Sequence, residues 1–144
     1  MIKVAINGEI GSFHLSIWGS LEYLRRKGIV GYAYVEELID DAFICKRWDP
    51  AIYDFESFLI STKDQGDTVS VDEFDYEFYF DPFNRDIDFR TDPVLIELVE
   101  QFPDKVACKP NSIKVAGIPD GTKFEICESE EGYEWAAEKH RTWY

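Results

Sequence analysis

The clearest hydrophobic pattern in the chain is a strict alternation over residues 72–81, DEFDYEFYFD. Phe74, Tyr76, Phe78 and Phe80 fall on one side, with Glu73, Asp75, Glu77, Tyr79 and Asp81 on the other. A period of two predicts a strand, one face in the core and the other an acidic comb. Shorter runs predict further strands at residues 2–6 (IKVAI), 31–38 (GYAYVEEL), 42–48 (AFICKRW), 57–62 (SFLIST) and 68–74 (TVSVDEF). The last two flank KDQGD, a hairpin signal.

Two stretches carry helical periodicity. Ser16 can cap a helix running to about Lys27, with Ile17, Leu21 and Leu24 on one face and Gly28 as its stop. Asp92 and Pro93 open a second helix as N-cap and first helical residue, with Leu95, Leu98, Val99 and Phe102 as its buried stripe. The end of the chain predicts a three-stranded meander: SIKVAG, a turn at IPDG, TKFEICE, a turn near SEEG, then YEWAAEK onward. There is no internal repeat or linker-like stretch. The expected fold is therefore a single α+β domain over residues 1–144, its sheet mostly antiparallel, with helices at about 16–27 and 92–102.

Composition supports sheet over helix bundle. Hydrophobic residues make up 45% and include 11 Phe, 8 Tyr and 4 Trp, while Met1 is the only methionine. Aromatic and β-branched side chains must then fill the core. The formal charge of -14 repels a phosphate backbone, so direct DNA or RNA binding is not expected. Residues 64–92 hold ten acids against Arg85 and Arg90, which puts eight of the fourteen net charges in a fifth of the chain. Such a concentration reads either as a face offered to a basic partner or as a solvated sheet face. No apolar run approaches a membrane span, and MIKVAINGEI reads as a strand rather than a signal peptide. With Cys45, Cys108 and Cys127 odd in number and widely spaced, reduced thiols and a cytoplasmic location are expected.

Candidate chemistry lies at the two ends. The loop NGEIGS between a strand and a helix could present N–H groups to a phosphate, though the same glycines serve a tight turn. His14 beside that loop and His140 near the other end could act as acid and base, or be a helix-entry and a surface histidine. The close, AEKHRTWY, is unusual for so acidic a chain. If its strand continues, Lys139 and Arg141 share a face with Tyr133, Trp135 and Trp143, where an anion or flat ring could rest. Arg90, between Asp88 and Asp92, reads as a local ion-pair partner or as part of such a site. The spacings of metal-binding motifs are missing, so no metal or cofactor is expected.

Three stretches together resemble a family of small bacteriophage-encoded accessory proteins of unassigned activity: INGEIGSFHLS, RTDPVLIELVEQF, and IKVAGIPDGTKFEI with EGYEWAAEKHRTW. The resemblance covers about half the chain, at both ends. Family members read roughly Asn-Lys-Cys and then Gly-Gly-Phe in the opening loop; here stand Asn7-Gly8-Glu9 and Gly11-Ser12-Phe13, so a loop-borne thiol is lost. The resemblance implies a phage or prophage viral protein in the cytoplasm of an infected host cell, with anti-defence action as the expectation. It carries no catalytic residues over.

Three functions follow as expectations. The first is non-enzymatic sequestering of a small anionic, nucleotide-like ligand by Asn7, Ser12, Arg90, Lys139, His140, Arg141 and Trp143. The second is an acidic inhibitor, a nucleic-acid charge mimic that covers a basic host defence protein with Asp72, Glu73, Asp75, Glu77 and Asp81. The third is a small enzyme using His14 or His140. A homo-oligomer is left open.

Overall fold

Residues 1–51 and 57–139, described by a computed structural model, form nine strands and three helices. In chain order these are β1 (Ile2–Asn7), α1 (Ile17–Arg26), β2 (Tyr32–Ile39), β3 (Ala42–Arg47), β4 (Phe58–Ser61), β5 (Thr68–Ser70), β6 (Tyr79–Phe80), α2 (Ile87–Arg90), α3 (Pro93–Gln101), β7 (Ile113–Ile118), β8 (Phe124–Glu128) and β9 (Glu134–Glu138). All strand pairs are antiparallel, so the strand-rich α+β class expected from the pattern is the class adopted. Packing divides the chain into two units, one of Met1–His14 with Phe83–Tyr144 and the other of Leu15–Pro82.

In the first unit β1 pairs with β7, Ala5 opposite Val115, and β8 pairs with β9, Cys127 opposite Trp135. The closing hairpin is thus formed as the turn residues predicted. The strand before it takes its hydrogen bonds from β1, more than a hundred residues away in sequence, rather than from β8. Helix α3 packs on β1 and β7, and it begins where the caps place it, with Asp92 accepting from the Val94 N–H at 2.9 Å. Val4, Leu95, Leu98, Val106 and Ile113 are fully or almost fully buried and make the core of this unit.

The second unit is a five-stranded sheet in the order β5-β3-β2-β4-β6. Helix α1 starts on Ser16, whose hydroxyl accepts from the Gly19 N–H at 2.9 Å. It packs on β2 and β4, and its Tyr23 ring lies 5.7 Å from that of Phe80. The opposite sheet face carries Tyr34, Cys45 and Phe74, all buried, with Tyr32, Leu59, Val69 and Val71 packed against them.

The acidic comb is not a strand. Only Tyr79–Phe80 of the alternating run pairs, and Tyr76–Phe78 is a single 3-10 turn. Local side-chain bonds win over the ladder here. The Asp75 carboxylate accepts from the Glu77 N–H at 3.1 Å, and Gln65 holds both backbone groups of Asp75, at 2.8 and 3.1 Å. Phe74 still points into the core, but Tyr76 on the predicted inner face is exposed.

One glycine carries a test. Gly132 has φ +85°, and a Cβ built there would collide with the backbone carbonyl of Gly11. Gly121 has φ +80° with open space around it. Gly121→Ala should lower stability by only about 1 kcal/mol, the ordinary cost of an Ala at positive φ. Gly132→Ala should cost clearly more in a thermal melt; equal losses would contradict the close approach of the two turns.

Candidate functional site

The loop after β1, the start of the second helical region and the last strand do converge, and what they build is a buried ion pair. Arg90 at the end of α2 and Glu134 at the start of β9 have side chains 0% and 1% exposed. They meet fork to fork, Nη1 to Oε1 at 2.8 Å and Nη2 to Oε2 at 3.1 Å. Arg90 also donates from Nη1 to the Ala5 carbonyl at 3.1 Å and from Nε to the Asn84 carbonyl at 2.7 Å. Its guanidinium lies 3.4 Å over the Phe13 ring. Glu134 in turn accepts the Asn7 N–H at 2.7 Å. A buried guanidinium is tolerable when its donors find acceptors and its charge a carboxylate, and both conditions are met here.

The Asn7 side chain closes the loop below. Its amide donates to the carbonyls of Glu9, Gly11 and Gly132 at 2.9, 2.7 and 3.0 Å. The loop N–H groups are engaged too: Gly8 bonds the Ser112 carbonyl, Gly11 the Glu131 carbonyl, and Glu9 the Asn7 side chain. Helix α1 begins only at Ile17. The glycine stretch is therefore a tight turn rather than a phosphate cradle.

The expected ligand set is corrected accordingly. Arg90 and Asn7 are internal structural groups, because burial and complete pairing leave neither facing solvent. Arg90 also pairs with Glu134, not with its neighbours Asp88 or Asp92. Ser12 is exposed, and Lys139 is exposed on the face that carries Tyr133 and Trp135, whose rings lie 6.4 Å apart. His140, Arg141 and Trp143 lie outside the described residues. His14 stacks on Phe83 with ring centroids 4.0 Å apart. Among the described residues no group of three or more His, Cys, Asp or Glu side chains is placed to hold a metal ion. Cys45 is buried, and burial together with the Glu36 carboxylate pushes its thiol pKa up, away from nucleophilic use. Cys108 and Cys127 are half-buried.

Glu134 is the residue that sequence reasoning missed. The polar-outward rule for a strand puts Trp135 inside and Glu134 outside, and the structure has them reversed. The flanking Asp88 and Asp92 offered Arg90 local partners in the sequence, so nothing local pointed to Glu134.

The second unit offers a different surface. Asp72, Glu73, Asp75, Glu77 and Asp81 are all exposed, as expected for a partner-binding set. Sequence reading did not extend that set to Glu36, Asp40 and Asp41, which are exposed at the far end of the β2–β3 hairpin. None of Glu36, Asp40, Asp41, Asp72, Glu73, Asp75 or Glu77 has an ion-pair partner among the described residues. The cations of this unit are engaged elsewhere: Arg47 bonds Asp64 at 2.6 Å and Asp67 at 3.0 Å, Lys46 is 3.8 Å from Glu37, and Lys63 lies over the Phe78 ring. On the α1 side of the sheet, Val35, Glu37, Lys46 and Trp48 line a cleft of about 330 Å³.

The buried pair makes a sharp prediction. Removing one partner strands an uncompensated charge, so Arg90→Ala or Glu134→Ala should each cost about 3–5 kcal/mol in denaturant unfolding. Replacing both, as Arg90→Met with Glu134→Leu, should cost less than either single change. Near-neutral single variants would return Arg90 to the list of surface ligand-binding groups.

No family model, curated protein or solved structure matches the chain, so its function is argued from this geometry.

Proposed function

We propose that the protein acts without catalysis, as an acidic module that binds a basic protein partner through the Leu15–Pro82 unit. One observation carries the reading: Glu36, Asp40 and Asp41 of the hairpin and the exposed carboxylates of residues 72–77 have no counter-charge among the described residues. Like charges held close destabilise the folded state, and they are retained where a partner of opposite sign relieves the repulsion. That unit holds fifteen acids against six bases, so the field extends well beyond single side chains.

The alternative of small-anion capture loses its buried members, since Arg90 is neutralised by Glu134 and the Asn7 amide is taken by loop carbonyls. The resemblance to phage accessory proteins directs the search for a partner to basic proteins of a host defence system, met in the host cytoplasm.

The test is charge reversal. Asp72→Lys, Glu73→Lys and Glu77→Lys together leave the capping Asp75 in place, so the 3-10 turn should persist. Partners captured from a host lysate by the native protein should release between about 0.05 and 0.3 M salt, as screening lengths shrink below the charge separations. The triple variant should melt at the same temperature or higher and capture none of them. Equal capture by the variant would reduce these carboxylates to a solvated surface.

A further inference from the structure

The β2–β3 hairpin ends in an apolar pair that stays exposed, covered by none of the described residues of its own unit. Leu38 and Phe43 are cross-strand partners, 59% and 58% exposed. Every residue from Glu36 to Phe43 is exposed, because β4 pairs with β2 only as far as Val35 and β5 with β3 only from Ile44. Alternation places Leu38 and Phe43 on the same sheet face as Tyr34 and Cys45, so they extend the buried cluster outward into solvent. Tyr76, 53% exposed, continues the strip, its ring 4.9 Å from that of Phe74 in that cluster. Partial desolvation, with Cys45 and Glu36 as nearby negative groups, pushes the Tyr76 phenol pKa up.

The unpaired carboxylates surround this strip. Asp40 and Asp41 form the tip, Glu36 sits one row in, and Asp75 and Glu77 flank Tyr76. Asp72 and Glu73 follow Val71, whose N–H bonds the Phe43 carbonyl at 3.3 Å. The tip itself carries a cost. Asp40 and Asp41 adopt φ of 50° and 63°, the primed two-residue turn that Asn-Gly fills with least strain. Two aspartates at such positions keep charge where backbone preference would remove it.

We infer that this apolar strip is the docking surface for a basic amphipathic α-helix of the partner protein. Leu38 and Phe43 stand side by side in one row, and directly opposed side chains lie about 5 Å apart, close to the roughly 6 Å between positions i and i+4 of a helix. A helix with apolar residues at that spacing would cover Leu38, Phe43 and Tyr76, while Lys or Arg on its flanks reach the carboxylates at either side. An apolar centre with a charged rim is the anatomy of a protein interface, whereas a nucleic-acid mimic needs charge alone. A second copy of the chain is disfavoured as the occupant, since it would bring the same carboxylates face to face.

The inference rests on the acidic-binder reading, and its test separates the two. The probes are a Leu/Lys amphipathic peptide of about 18 residues, long enough to be helical, a scrambled peptide of the same composition, and poly-lysine. Binding is measured by calorimetry at several salt concentrations. The amphipathic peptide should bind at least about tenfold more tightly than the scrambled one, the size expected of an anchored interface. Leu38→Ser with Phe43→Ser should remove that advantage at an unchanged melting temperature and leave poly-lysine binding intact. Asp40→Asn with Asp41→Gly should raise the melting temperature while weakening peptide binding and flattening its salt dependence. Equal binding of the amphipathic and scrambled peptides would overturn the inference and leave the charge reading standing. Absence of poly-lysine binding would overturn the charge reading itself. A concentration-dependent dimer in sedimentation, lost in the Leu38/Phe43 variant, would identify a second copy as the occupant instead.

Discussion

A guanidinium with no exposed surface has to be neutralised where it sits, and in the Met1–His14 and Phe83–Tyr144 unit that requirement organises the backbone. Arg90 reaches carbonyls on two separate segments, at Ala5 and Asn84, and its charge is met by Glu134 on a third. Because the Glu134 carboxylate also holds the Asn7 N–H, the end of β1 and the start of β9 cannot shift independently. The contact between the two turns follows, and with it the need for glycine at position 132. Hydrophobic groups of the same volume would stabilise such a centre as well or better. What the ion pair adds is a set of directional bonds that β9 meets through Glu134.

The ends of the helices were legible because their signals are local. Ser16, Asp92 with Pro93, and the Lys27–Gly28 stop act within four residues, and each does in the structure what its chemistry implies. The comb at 72–81 shows where local reading fails. Its alternation matched a strand, but Asp75 and Gln65 supplied competing bonds to the backbone, and one of those partners lies ten residues away. The partners of β7 and of Arg90 were beyond reach for a different reason. Pairing of Ile113–Ile118 with β1 and of Arg90 with Glu134 is decided by burial across the unit, which periodicity does not encode.

The candidate ligand site was half legible. The convergence of the opening loop, Arg90 and the last strand is real, yet its chemistry is internal. The expectation assumed that a cation near an acidic chain's aromatic strand must face outward to a ligand. Glu134 turned inward instead, leaving Tyr133 and Trp135 on the surface. The acidic comb survived as a surface even though it failed as a strand, because exposure of carboxylates depends on their solvation and not on the backbone that carries them.

The two units treat their charges in opposite ways, and the difference bears on function. In the first, Lys3 meets Glu100, Arg85 meets Glu128 and Lys109 meets Glu9, so many cations are matched. In the second, acids exceed bases by nine, and Glu36, Asp40 and Asp41 of the exposed hairpin have no ion-pair partner among the described residues, although Glu37 meets Lys46. That hairpin also exposes Leu38 and Phe43 on a strand edge that β4 leaves open beyond Val35. An apolar strand edge in water invites pairing with another copy, and inward or flanking charge is the usual defence against it. The carboxylates around the strip therefore serve two ends with one arrangement. They repel an identical edge, which is equally acidic, and they attract a surface of the opposite sign. An apolar tip without the acids would be an aggregation hazard, and the acids without the tip would bind any cation; under the proposed binding role, the two together would restrict a partner to one that is both basic and apolar.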